Sequence, residues 1–339
     1  LSIRRQRQMC IRDSYQATLN VNVSHQGPYS LAGPVSIALH ELNADWPKIR
    51  MAGEVEGAGR GTELDYAIKL LVNVDEQPLI AIPLAITGRI SPAGTVIEAL
   101  LSERGNERIT GAGVVTWGEQ LNASLDLAIE NLKPASWWRD WSTDLPAQVN
   151  GIIRASLTSS GQGSDLHFDL TQLDLKGDLR NLPFQLSAAG EMTGKVWKLN
   201  VFTARYGKSH GSATVTRDQV FDARASLVVP GVGEWLADAN GNATAEISLR
   251  GDPADPEIKL TVSGKELALG GIASADLDLA IDGRLSRHQV SLQFSDPRSR
   301  LDAEWTGRLK LDELQVDDYR GDLTRLNLQV PGFTELQLW

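Results

Sequence analysis

Apolar residues recur at every second position along most of this chain. In NGNATAEISLRGDPADPEIKLTVSG (240–264) they are Ala243, Ala245, Ile247 and Leu249, then Ile258, Leu260 and Val262. That period belongs to a strand with one wet face and one dry face. SLDLAIENL (124–132) sets Leu125, Leu127 and Ile129 against Asp126 and Glu130, and DLHFDL (165–170) sets Leu166, Phe168 and Leu170 against Asp165, His167 and Asp169. LPFQLSA (182–188), KVWKLNVF (195–202), ADLDLAIDG (275–283), HQVSLQFSD (288–296) and LDAEWTG (301–307) alternate too, with turn residues such as GQG (161–163), DPADP (252–256), GG (270–271) and SDP (295–297) between segments. Regularly spaced strands of about six to ten residues predict an all-β chain, a long antiparallel sheet with short turns. Helical period appears only near 134–141 and 231–238, giving one or two short helical segments.

The segments repeat. NGIIRASLTSSG (150–161) matches NGNATAEISLRG (240–251), Gly190 matches Gly283, and WKLNV (197–201) matches VSLQF (290–294). A second marker joins a strand to Pro and bulky apolar residues: NLKPASWW (131–138), LVVPGVGEWL (227–236), LQVPGFTEL (328–336) and a weaker ELNADWPKI (41–49). A period of about 90–100 residues is a repeat architecture, in which each unit extends its neighbour's sheet and none closes a core alone. The repeats run approximately 41–130, 131–226 and 227–327, with a partial one at 328–339.

Composition narrows the function classes. A net charge of -10, with 22% charged residues and no basic stripe, argues against nucleic acid. No apolar run approaches a membrane-spanning helix; the best, LIAIPLAI (79–86), is interrupted by Pro83. Residues 1–14, LSIRRQRQMCIRDS, carry four Arg against one acid and hold Cys10, the single cysteine. They lack the apolar core of a signal peptide. RQRQMCIRDS resembles a translated sequencing-adapter artefact of metagenomic reading frames, so 1–14 is set apart from a 15–339 fold. The cysteine-free remainder suits an oxidising compartment. The chain opens and ends in mid-pattern, as a fragment would.

Candidate chemistry is sparse. GAGRG (57–61) is followed by a strand-like run rather than a helix, so a turn outweighs a phosphate loop. The five histidines have no ligand spacing, and His167 and His288 are read as lying on wet faces. Asp276, Asp278 and Asp282 read as a solvated face rather than a calcium site. Ser209 and His210 are strand neighbours and point apart. No acid, base, nucleophile and oxyanion set converges, so no catalytic residue, metal or cofactor is assigned and the chain is not read as an enzyme. WWRDW (137–141) would place Trp137 and Trp141 on one helix face, either as a plug at the end of a strand layer or as an apolar lip.

VPGVGEWLADANGNATAEISLRGDPADPEIKL (229–260) and NLKPASWWRDW (131–141) resemble TamB-like proteins of the AsmA-like group in the Gram-negative envelope. The resemblance covers about 20–339 and places the chain centrally in such a protein. It implies a sheet curled into an open trough, apolar inside, like a β-taco. It implies periplasmic bridge-like phospholipid transport between inner and outer membrane, with a linked role in outer-membrane assembly. The implied partners are phospholipid acyl chains, an inner-membrane anchor and a TamA-like outer-membrane β-barrel. On this reading the dry-face residues form a lipid groove: Leu125, Leu127, Ile129, Leu166, Phe168, Leu170, Phe184, Leu186, Leu199, Val201, Ile247, Leu249, Ile258, Leu260, Leu277, Leu279, Ile281, Leu292 and Phe294. Trp137, Trp138, Trp141 and Trp235 form its lip. The competing class is a β-solenoid or adhesin-like stalk whose dry faces meet each other; a parallel β-helix would repeat every 20–30 residues or so, a period absent here.

Overall fold

A computed structural model describes residues 3–11, 15–25, 30–41, 49–60, 62–74, 79–142, 144–159, 166–194, 196–218, 220–253, 255–269, 272–312, 315–330 and 336–338. The chain divides into two units, Leu1–Pro183 and Phe184–Trp339. The first holds β1 (Ile3–Ile11), β2 (Tyr15–His25), β3 (Ser30–Glu41), β4 (Ile49–Arg60), β5 (Glu63–Val74), β6 (Ile82–Ser91), β7 (Gly94–Arg104), β8 (Glu107–Thr116), β9 (Leu121–Leu132), the four-residue helix α1 (Pro134–Trp137), β10 (Ala147–Ser159) and β11 (Leu166–Leu179). The second holds β12 (Leu182–Thr193), β13 (Val196–Tyr206), β14 (Ser209–Arg217), β15 (Phe221–Val229), β16 (Asn240–Gly251), β17 (Glu257–Leu269), β18 (Ile272–Arg284), β19 (Arg287–Ser295), β20 (Arg300–Asp312), β21 (Gln315–Gln329) and β22 (Leu336–Leu338).

Within each unit, every strand pairs antiparallel with the strands beside it in sequence. Short polar turns allow this, because antiparallel neighbours need only a hairpin. Among the described residues no pairing joins β1 to β11 or β12 to β22, so neither sheet closes into a barrel. Residues 3–11, set apart by composition, form β1 and pair along their length with β2, from Ile3 opposite Val23 to Ile11 opposite Tyr15.

The sequence repeat is a six-strand repeat. Asn150 and Asn240 lie on β10 and β16, Gly190 and Gly283 on β12 and β18, and WKLNV and VSLQF on β13 and β19. The Pro markers follow β9 and β15. Their counterparts at 42–48 and 331–335 lie outside the described residues, as do the turns at 161–163 and 270–271.

Candidate functional site

Residues directly opposite in a ladder share a face. In the second unit one such row runs Leu186, Ala204, Gly211, Leu227, Ala245, Val262, Leu279, Leu292, Ala303, Leu326. Beside it run Ala188, Phe202, Ala213, Ala225, Ile247, Leu260, Ile281, Val290, Trp305 and Leu323. Phe184, Leu199, Leu249, Ile258, Leu277 and Phe294 flank these rows on the same face. In the first unit Leu125, Ala155 and Leu170 form one row, Ala123, Leu157 and Phe168 a second, Leu127 and Ile153 a third, and Ile129 and Gly151 a fourth; Leu166 lies opposite Ser159 at the margin.

Two alternation-based assignments need correction. Val201 is opposite Ala189 while Leu199 is opposite Gly190, because a bulge at Asn200–Val201 shifts the pairing. A bulge adds one residue and exchanges the faces beyond it. Val201 therefore lies on the polar face, 47% exposed. His288 makes the opposite move. It stands two residues before Val290, opposite Gly283 and Gly307, and is buried at 5% exposure. Its Nδ1 lies 3.2 Å from the Arg284 carbonyl oxygen and 3.3 Å from that of Leu285.

Among the described residues the apolar face is only partly covered. The described apolar residues that are buried are Val35, Trp137, Ala188, Val229, Ala239, Ala275, Leu285, Val290 and Ala303. Most row leucines and isoleucines are half-buried, and Leu166 is 51% exposed. The chain exposes 22351 Å². A compact monomer of 36.9 kDa would expose about 13,600 Å², and two separate compact bodies of half that mass about 16,400 Å².

Strand glycines gather on this same face. Gly88 lies between Tyr66 and Ile97, Gly113 between Ile97 and Leu125, Gly111 between Leu100 and Leu127, and Gly264 between Ala243 and Leu277. A Cβ on Gly113 would fall 2.6 Å from the Ser124 carbonyl oxygen, and one on Gly111 would fall 2.6 Å from Leu127 Cδ2. The apolar side is thus the crowded side of the sheet, where neighbouring strands leave no room for a side chain at these positions.

One margin of each apolar face is closed by a strap. In the first unit the chain leaves β9, forms α1 and runs back to Leu79, which bridges Trp138; the Ile80 N–H donates to the Trp137 carbonyl at 2.8 Å. The expected helix over 134–141 stops at Trp137, since Trp138 is extended (φ -113, ψ 119), so Trp137 and Trp141 share no helix face. Trp137 turns inward, 2% exposed, and is a plug rather than a lip. Its indole N–H donates to Glu107 Oε2 at 2.7 Å, and the Lys133 N–H donates to the same oxygen at 2.8 Å. The Arg104 guanidinium lies 4.7 Å from the Trp137 ring centroid and donates to the Ser136 and Ala81 carbonyls. Burial pushes the Glu107 carboxyl up, but the bonds from Lys133, Ser136 and Trp137 outweigh it and hold the group below its usual range. Trp138 stays 42% exposed, while Trp141 donates to the Leu145 carbonyl at 2.6 Å.

In the second unit the strap leaves β15 through a 3-10 turn, Val232–Glu234, where a short helix is expected. Trp235 donates to Ser209 Oγ at 2.9 Å and packs edge-on against Tyr206, with centroids 5.1 Å apart. Glu234 Oε2 accepts the Lys208 N–H at 2.9 Å. Ser209 is buried under this contact and His210 is exposed, so the two do point apart. Arg104, Glu107 and Tyr206 escape sequence reasoning, and Ser209 stands out there only as a neighbour of His210, although Arg-Gly-Asn-Glu (104–107) and Tyr-Gly-Lys-Ser (206–209) occupy matching hairpin corners.

The opposite face is polar and held by cross-strand charges. Lys265 Nζ reaches Asp276 at 3.4 Å and Asp278 at 3.3 Å, and Lys259 reaches Asp282 at 3.8 Å. The Ser263 hydroxyl, then Lys265, lower the Asp278 carboxyl below its ordinary value.

An unclosed antiparallel sheet, apolar and only partly covered on one face and charged on the other, defines an open-sheet all-β protein. The family described as "TamB, N-terminal domain" matches residues 6–277. The chain belongs to the TamB family. The family is a non-enzymatic transport and assembly family, linked to outer-membrane assembly and lipid transport, whose members span the periplasm from an inner-membrane anchor. No curated protein matches this chain. Among solved structures, the crystal structure of Pseudomonas aeruginosa OccK10 (OpdN) is similar at 10% identity over 91% of each chain, with a TM-score of 0.17, too low to carry any argument.

Proposed function

We propose that this chain is a stretch of a phospholipid path, its apolar face holding acyl chains while headgroups stay wet at the margin. The observation that carries the reading is the incompletely covered apolar face. Among the described residues, rows of Leu, Ile, Val and Ala continue from strand to strand with no second layer over them, and large exposed apolar surfaces mark interaction sites. Each buried CH₂ is worth about 0.8 kcal/mol, so one sixteen-carbon chain would recover roughly 13 kcal/mol from water. The rows are chemically uniform, so a tail can slide along them without a tight site to leave. On this reading the protein works in the periplasm of a Gram-negative bacterium, between an inner-membrane anchor and a TamA-like barrel.

Lipid extraction and mass spectrometry on the purified chain test it. Co-purified phospholipid, lost when Leu260 is changed to Arg without loss of sheet, is the expected result. A well-folded, lipid-free protein whose apolar faces bury each other in an oligomer would favour the stalk.

A further inference from the structure

The two straps are copies of one device with one component exchanged. Arg104 ends β7 and Tyr206 ends β13; each is followed by a left-handed glycine, Gly105 (φ 66) or Gly207 (φ 56), then by one polar residue, Asn106 or Lys208, and then by the first residue of the next strand, Glu107 or Ser209. In each copy a strap indole donates to that first residue: Trp137 to Glu107, Trp235 to Ser209. In the first unit a cation from the chain itself occupies the indole face, since Arg104 lies over Trp137. In the second, tyrosine stands where Arg104 would be, and among the described residues no guanidinium or ammonium lies over Trp235. Trp235 is 45% exposed, and the carboxylate of Glu234 precedes it at the same corner. Two aromatic rings set at 69° with an adjacent carboxylate form the kind of corner that takes an ammonium ion.

We infer that Tyr206, Trp235 and Glu234 form a site for the ammonium headgroup of an aminophospholipid. The inference rests on the lipid-path reading. Tyr206 is opposite Phe184 and adjoins the apolar rows, so a lipid whose tails lie along Leu186, Ala204 and Leu227 would bring its headgroup to this corner. An ammonium held against these two rings and the Glu234 carboxylate would supply from outside the cation that Arg104 supplies from within the chain in the first unit.

The experiment exposes the purified chain to vesicles containing equal dioleoyl phosphatidylethanolamine and dioleoyl phosphatidylglycerol, and measures retained lipid by mass spectrometry. The expected result is a preference for phosphatidylethanolamine of about three- to tenfold, the size of a partly exposed cation–π contact. Tyr206→Arg, which supplies the guanidinium internally, should abolish the preference. Glu234→Gln should reduce it, and it covers the case in which the arginine variant loses its sheet by circular dichroism. Equal retention of both lipids by the wild type overturns the headgroup site and leaves the lipid path standing. Retention of neither overturns both. Tail-free glycerophosphoethanolamine abolishing the preference at micromolar concentration would show a site for soluble amines and overturn the lipid assignment.

Discussion

The indole N–H of Trp137 donates to Glu107 Oε2 across 2.7 Å, joining residues thirty apart in sequence. That carboxylate also accepts the Lys133 N–H, so one oxygen of a 5%-exposed side chain anchors both the entry and the end of α1. Losing it would strand two donors. Glu107→Ala should therefore destabilise the strap by about 2–3 kcal/mol, the range for hydrogen bonds to a charged group. Faster hydrogen exchange at the Ile80 and Trp138 amides, with the sheet retained by circular dichroism, is the expected signature.

The same group sets a pH dependence. The folded Glu107 carboxyl lies below its usual value, so its contribution is complete above the unfolded value of about 4.3 and is lost as pH falls through the folded one. Acid should loosen the strap at Ile80 before it loosens strands distant from it. In Glu107→Gln that acid-dependent step should disappear; if it persists, another carboxylate governs it.

Leu260 and Lys259 are neighbours on opposite faces. Leu260→Arg places a charge among Ile247 and Ile281, directly across the ladders. On an uncovered face its stem can lean along the wall and lift the guanidinium to water. The sheet should survive while lipid retention falls several-fold. Lys259→Gln loses only exposed pairs with Glu257 and Asp282, worth under about 1 kcal/mol, and should change neither property. Global unfolding of Leu260→Arg would mean a covered face, where an unpaired charge is costly.

The bulge at Asn200 separates Leu199 from Val201. Val201→Arg should be neutral in melting temperature and lipid retention, whereas Leu199→Arg should reduce retention. Equal losses from both variants would argue against the shifted register.

Gly113→Val adds a side chain where a Cβ already falls 2.6 Å from the Ser124 carbonyl. The expected cost is about 1–3 kcal/mol, as for overpacked sites, read from urea unfolding. An unchanged midpoint would mean that β8 and β9 can spread apart.

Alternation made the strands and the dry face legible because side-chain parity is a local property. It carried Leu125, Phe168, Leu260 and Leu292 to the face where the ladders put them. It failed at Val201, where one extra residue reversed the parity, and bulges leave little trace in a pattern of two. His288 shares the parity of Val290, and a polar residue at an apolar position defeats a reading by polarity. The WWRDW helix failed for another reason: helical spacing of bulky residues says nothing of the bridge that Leu79 makes to Trp138, which returns that residue to an extended conformation. Arg104 and Glu107 look like ordinary hairpin charges until the strap is seen lying on them.

The strictly sequential strand order bears on how the protein is made. Every described ladder joins chain neighbours, so contact order within a unit is low, and no early strand must wait for a late one to complete its pairing. Strands can add one at a time, in the direction in which the chain emerges during synthesis or export. The bridge between Leu79 and Trp138 is the exception, since it forms only after β6, β7, β8 and β9 are in place. A chain stalled before Trp138 would leave β6 to β9 unlatched and open to proteolysis.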